Sequence, residues 1–146
     1  MNPEMTWPLQ GNWYNELGSE LVIGPPDPVT GAVVGTYQTG VSTGGCAKGV
    51  FALAGRSDIL FGGQTVGWTV SWFNGPSNCG STSSWAGNYQ DNDGNQTITA
   101  FWLLAAHIEP GQGWASTLIG EDVFTRQAPT QEQIASALRR KRHAHP

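Results

Sequence analysis

The sequence predicts an all-β fold: an eight-stranded antiparallel up-and-down β-barrel, followed by a short C-terminal helix. Three observations predict it. Charged residues make up only 12% of the chain, about half the usual share, against 20 glycines and seven tryptophans. Short runs rich in Val, Thr and Trp recur between clusters of Gly, Pro, Asn and Ser, as strands recur between turns. Several runs alternate apolar and polar residues, the period of a half-buried strand. A closed barrel is expected because closure leaves no unpaired edge. At 146 residues the chain is one domain with room for a real core.

The elements follow in order. Residues 11–23 read as a strand pair or one bent strand, with Gly18 at the kink. Residues 24–30 (GPPDPVT) are turn material, and 32–39 form a strand. Residues 40–49 are a Gly/Ser/Thr-rich loop carrying Cys46, and 50–58 a strand that turns near Gly62 and Gly63. Residues 65–73 alternate most cleanly, and 74–80 are a loop carrying Cys79. Residues 81–90 and 95–106 are strands joined at Asp91-Asn92-Asp93-Gly94, a strong hairpin signal. Residues 114–125 are the last strand. A helix starts after Pro129, where Thr130 and Gln133 form a capping box. Ile134 and Leu138 share one face of it, and its cations sit at the end the helix dipole favours. Docking of that face on the barrel, docking on another subunit and a frayed tail all stay open. The chain thus divides into an arm (1–10), a barrel (11–126) and an extension (127–146).

Charge narrows the function. Arg139, Arg140, Lys141 and Arg142 are four of the seven basic residues, and the net charge is −4. The barrel is therefore acidic, which argues against nucleic acid as a partner, since phosphate contact needs a basic surface. No apolar run approaches the ~18–20 residues of a membrane span. No secretion leader is legible at the start, so a trimmed or recombinant form is expected. Cys46 and Cys79 are too few for a structural zinc. A disulfide in an oxidising compartment is favoured over two free thiols. His143 and His145 read as solvated tail residues rather than metal ligands. Asn95-Gln96-Thr97 fits the N-glycosylation pattern.

Parity points to a binding site. Side chains of one parity share a strand face. One such set carries Trp13, Asn15, Leu17, Ser19, Tyr37, Thr39, Trp68, Trp72, Ser81, Ser83, Trp85, Ile98, Trp102, Leu104, Leu118, Asp122 and Phe124. The tryptophans make this the barrel interior. Seven of its members are polar, and a buried polar group without a partner costs a few kcal/mol, about 2–7. A structural polar network with buried water is one account. A ligand cavity with aromatic walls and a few polar anchors is the better one. Catalysis is poorly supported. Glu121 and Asp122 are adjacent and face opposite sides, His107 is the single candidate base outside the tail, and no nucleophile, phosphate or dinucleotide motif appears.

These residues also carry a pattern. Gly11-Asn12-Trp13-Tyr14-Asn15-Glu16-Leu17-Gly18-Ser19 resembles the opening strands of the avidin–streptavidin family. So, in order, do Gly35-Thr36-Tyr37, Gly67-Trp68-Thr69-Val70-Ser71-Trp72, Ser83-Ser84-Trp85-Ala86-Gly87, Trp102-Leu103-Leu104 and the run from Ser116 to Thr125. The resemblance implies a non-enzymatic barrel that holds biotin in its mouth and needs no cofactor. It implies that Asn15, Ser19 and Tyr37 donate to the ureido oxygen, and that Thr39 and Asp122 accept from the two ureido N–H groups. Ser83 would face the ring sulfur. Ser81, with Val41 and Thr43, would hold the valerate carboxylate. Trp72, Trp85 and Trp102 would wall the pocket, with Leu17 and Leu104 filling gaps. Trp114 would come from a neighbouring subunit.

The resemblance further implies a secreted homo-oligomer, a tetramer by Trp114. Cys46 and Cys79 resemble the disulfide-linked loop cysteines of the dimeric, rhizavidin-like branch. The extension resembles that of tamavidin-like members, and its helix would join subunits into something larger. Loss of residues 129–146 would then lower the assembly size and leave binding intact. The competing functions are a barrel for another small polar or carbohydrate ligand, an enzyme using Asp122 as a lone acid, and an inhibitor barrel that never fills its cavity.

Overall fold

Eight antiparallel strands close into a barrel in plain chain order, each paired with the next and the last with the first. The computed structural model describes residues 7–40, 45–60, 62–107 and 117–141. The strands are β1 (Gly11–Tyr14), β2 (Glu20–Ile23), β3 (Ala32–Gln38), β4 (Phe51–Ser57), β5 (Thr65–Phe73), β6 (Asn78–Asn92), β7 (Asn95–Ala106) and β8 (Thr117–Thr125). Helix α1 (Gln131–Arg140) follows. The fold class and the short helix read from the sequence are those observed. Val41, Thr43, Trp114, Arg142, His143 and His145 lie outside the described residues.

Local chemistry explains the connections. Asn92 pairs with Asn95, so the β6–β7 hairpin turns on Asp93 and Gly94, both at positive φ (54° and 89°). That is the two-residue turn whose twist matches the strands, and Asp and Gly tolerate it best. The Asp91 carboxylate accepts from the Gly94 N–H at 2.8 Å. Cys79 corrects the sequence reading: it lies in β6, not in a loop. A bulge between Ser71 and Phe73 lets Phe73 pair with Asn78, which carries the strand further back than composition suggests.

Alternation places the core. Val66, Trp68, Val70 and Trp72 of β5 point inward and are buried, as are Ile98, Ala100 and Trp102 of β7. Leu118 keeps the inward parity but is 38% exposed. It is the second residue of β8, at the strand's end, where facing inward does not bury a side chain. At the opposite end, the arm closes the barrel. Leu9 is fully buried in the core cluster, and its carbonyl accepts from Trp13 Nε1 at 2.9 Å. Arg126 lies 3.7 Å over the Trp13 ring and donates to the Pro8 carbonyl at 2.7 Å and the Asn12 carbonyl at 3.1 Å. A cation over an indole face is attracted by the ring quadrupole, so this one side chain ties arm, first strand and chain end together.

The helix is docked. The capping box is complete: Gln133 N–H donates to Thr130 Oγ1 at 3.1 Å, and Thr130 N–H donates to Gln133 Oε1 at 2.8 Å. Ala137 is buried, and Ile134 packs over Gly18, so closely that an added Cβ there would meet Ile134 Cδ1 at 3.0 Å. Leu138, expected on the docking face, is 47% exposed. The contact runs along positions 134, 137 and 141 instead, three to four residues apart on a neighbouring stripe.

Candidate functional site

The β1–β2 turn builds one corner of the site. Asn15 Oδ1 accepts from Leu17 N–H at 3.0 Å and Ser19 N–H at 2.9 Å. The amide oxygen is thus used up by the turn, which fixes which end of the amide faces inward. Its NH2 group has two donors. One approaches Asp122 Oδ1 at 3.4 Å. Asn15, Ser19, Ser83 and Asp122 are all buried, and so is Tyr37.

Tyr37 of strand β3 and the residues just after that strand meet this corner. Ser19 Oγ accepts from the Gly40 N–H at 3.0 Å and also bonds to the Tyr37 phenol. Burial, together with the nearby Asp122 charge, raises the Tyr37 hydroxyl well above its ordinary range. It stays protonated and is a donor. Two residues on, Thr39 Oγ1 is buried with no hydrogen-bond partner among the described residues.

Aromatic rings form the walls. Trp68 stacks on Trp85 at 5.3 Å and 13°, and Tyr37 lies 4.9 Å from Trp85. Trp72 meets both Tyr37 and Phe51 edge-to-face, at 5.8 and 5.0 Å. Trp72 Nε1 donates to Ser83 Oγ at 2.9 Å, which orients that indole and leaves Ser83 its own proton to give. Trp102 stands beside Trp85 across the β6–β7 pairing. Leu17 is fully buried, Leu104 is partly buried against the core, and Ser81 is half-buried where it pairs with Ala106. Val41, Thr43 and Trp114 fall outside the described residues.

Asp122 is the site's one buried carboxylate among the described residues. Its Oδ2 accepts from Trp85 Nε1 at 3.2 Å, and Lys141 Nζ lies 3.6 Å from its Oδ1. Burial raises its carboxyl above the ordinary 3.8; the Trp85 hydrogen bond and the Lys141 charge work against that rise, and Glu16 adds to it. A charged acceptor of this kind makes the stronger class of hydrogen bond to an N–H. Cys46 and Cys79 are joined in a disulfide with Cα atoms 4.9 Å apart. It pins the short 3-10 turn Gly45–Ala47 to the start of β6.

Sequence reasoning missed three contributors. Phe51 was legible by parity, since it shares the inward face with Leu53. Glu16 and Lys141 were not, because each reaches the site from outside the barrel wall.

The comparisons with known proteins agree with this geometry. A family profile described as the Avidin family matches residues 4–127. The chain is 30% identical to Avidin of Gallus gallus over 128 residues, 85% of this chain and 81% of that protein. It is 33% identical to Afifavidin of Afifella pfennigii over 121 residues (80% and 68%). It is 31% identical to Hoefavidin of Hoeflea phototrophica over 111 residues (72% and 66%). With the closed eight-stranded barrel and the order of its motifs, this chain belongs to the avidin family.

Proposed function

We propose that this chain binds biotin without covalent chemistry or turnover, in the open end of the barrel. The observation that carries the reading is the set of buried polar groups, Asn15, Ser19, Tyr37 and Asp122, among stacked tryptophans. A barrel core gains nothing from such groups unless they meet a polar partner. A cyclic urea matches them: one carbonyl for three donors, Asn15, Ser19 and Tyr37, and two N–H groups for Thr39 and Asp122. Ser83 faces the ring sulfur, and Ser81, Val41 and Thr43 receive the valerate carboxylate. Trp72, Trp85 and Trp102 enclose the rings, Leu17 and Leu104 fill the remaining gaps, and Trp114 of another copy covers the mouth.

Tyr37 sits on a strand, and Asn15 and Ser19 are held by the hydrogen bonds of the β1–β2 turn, so these donors are already oriented by the protein. Pre-organisation of this kind yields affinity through slow release. The disulfide supports an extracellular, oxidising setting. Phe101, Leu103 and Ile119 are large, apolar and more than half exposed on the outer faces of β7 and β8, which supports assembly into a tetramer.

The test is a calorimetric titration with biotin, with mass measured by light scattering. Saturation at one biotin per chain is expected. Asp122→Ala or Ser19→Ala should weaken binding at least a hundredfold, roughly the loss of one or two hydrogen bonds to a buried site, with the barrel's circular dichroism unchanged. Full affinity in both variants would refute the site. Heat with a monosaccharide and none with biotin would bring the carbohydrate reading forward.

A further inference from the structure

The barrel is least complete between its first and last strands. β1 ends at Tyr14, and its pairing with β8 is the single register position Tyr14–Thr125. Above that point the β8 backbone has lost its neighbour, and buried or half-buried backbone groups need partners. Two side chains supply them. Glu16 Oε1 accepts from the Val123 N–H at 3.2 Å. Lys141 Nζ donates to the Glu121 carbonyl at 2.9 Å. Between the turn, β8 and α1 lies a cleft of about 450 Å³, lined in part by Asn15, Glu16, Val123, Ser136 and Arg140.

Lys141 does more than close the seam. Its ammonium also touches Glu16 Oε1 at 3.2 Å and lies 3.6 Å from Asp122 Oδ1. Its side chain is 15% exposed, and that of Asp122 is 0% exposed. A cation from the helix end therefore reaches, through the open seam, the carboxylate at the base of the proposed pocket. Arg140 sits 3.9 Å from Glu16 Oε2 and holds that second carboxylate from the other side.

We propose that Lys141 is a positioning residue for Asp122: helix α1 straps the β1–β8 seam and delivers the counter-charge that keeps this carboxylate an ionised acceptor for a ligand N–H. The inference rests on the biotin reading for its consequence but not for its geometry. Among the described residues, the charged and titratable groups around Asp122 are Lys141 beyond the end of α1, Glu16 in the β1–β2 turn with Arg140 behind it, and Tyr37 on β3. Lys141 favours the ionised form, Glu16 opposes it, and burial opposes it most. Removing Lys141 leaves the Trp85 hydrogen bond to work alone against the last two. Asp122 would then take up a proton at a higher pH and lose its strength as an acceptor. The C-terminal extension would not be separable from the pocket, contrary to the expectation from the sequence.

The experiment has two readouts. The Asp122 side-chain carboxyl is titrated by carbon-13 NMR in the ligand-free wild type, Lys141→Met and Lys141→Arg. Biotin release is then timed for the same three chains across the acid and neutral range. In Lys141→Met the Asp122 midpoint moves upward and release quickens roughly tenfold, about the difference between a charged and a neutral hydrogen bond. Release from this variant also becomes faster with falling pH at a higher pH than in wild type. Lys141→Arg keeps the charge and restores most of both. An unchanged midpoint in Lys141→Met overturns the inference, as does an equal shift in Lys141→Arg, which would mean that charge is not the cause. A moved midpoint with unchanged release overturns the role in ligand retention. A wild type that takes up no biotin overturns the biotin reading instead, and the ligand-free titration still decides whether Lys141 governs Asp122.

Discussion

Trp85 donates its indole N–H to Asp122 at 3.2 Å, so one side chain is both a ring of the aromatic core and a support for the buried carboxylate. The same indole stacks on Trp68. Ring position and charge stabilisation therefore meet in one side chain.

Trp85→Phe keeps an aromatic ring and removes the donor. A hydrogen bond to a charged group is worth about 1.5–3 kcal/mol, so biotin affinity should fall by about tenfold or more. The Asp122 carboxyl should also titrate higher. Calorimetry on the variant checks the first and carbon-13 NMR the second. Wild-type values for both would mean that the contact carries no weight.

Asp122 gives stability and binding opposite pH dependences. Its folded carboxyl is raised above 3.8 by burial. Between 3.8 and that raised value the folded form keeps a proton that the unfolded chain has released. The contribution of Asp122 to stability is thus fully present at low pH and is lost as pH rises through this window. On the proposed biotin reading, ligand binding requires the ionised acceptor and should weaken as pH falls through the same window. Relative to Asp122→Asn, the ligand-free wild type should lose melting temperature as pH rises from 3.8 through the raised value, while its biotin release slows. Parallel trends would contradict the assignment.

Gly120 leaves room for Trp102. A Cβ at position 120 would overlap Trp102 Cζ2, which lies against the inner wall. Gly120→Ala must displace that ring, and overpacking of this type costs about 1–3 kcal/mol. The urea midpoint should drop and biotin affinity should fall with it. A variant as stable as wild type with full affinity would show that the indole has somewhere else to go.

The Cys46–Cys79 bond spans 33 residues. Constraint of an unfolded loop of that length is worth about 2–4 kcal/mol. The double variant Cys46→Ser, Cys79→Ser should lose about that much in urea unfolding and still form the barrel. Reduction of the wild type should reproduce the loss, and no difference with or without reductant would contradict a stabilising role.

The sequence by itself determined the strands, the Asp93-Gly94 turn, the capping box at Thr130 and Gln133, and the inward set from Asn15 to Phe124. Each is a local property. Alternation follows from backbone geometry, and turn and cap preferences follow from the conformations of one to four residues. The order of motifs then sufficed for the family resemblance. Where local rules misplaced a residue, a longer-range effect was responsible: a bulge drew Cys79 into β6, a place at the strand's end left Leu118 exposed, and the docking stripe passed Leu138 by. Only the tertiary structure decided what happens at the β1–β8 seam. Glu16 bonds to Val123 across 107 residues, and Lys141 reaches both Glu16 and Asp122 because the chain doubles back along β8 after Arg126. No period in the sequence encodes such a meeting. It depends on where the barrel closes, how short β1 is, and how the helix end lies across the gap that remains.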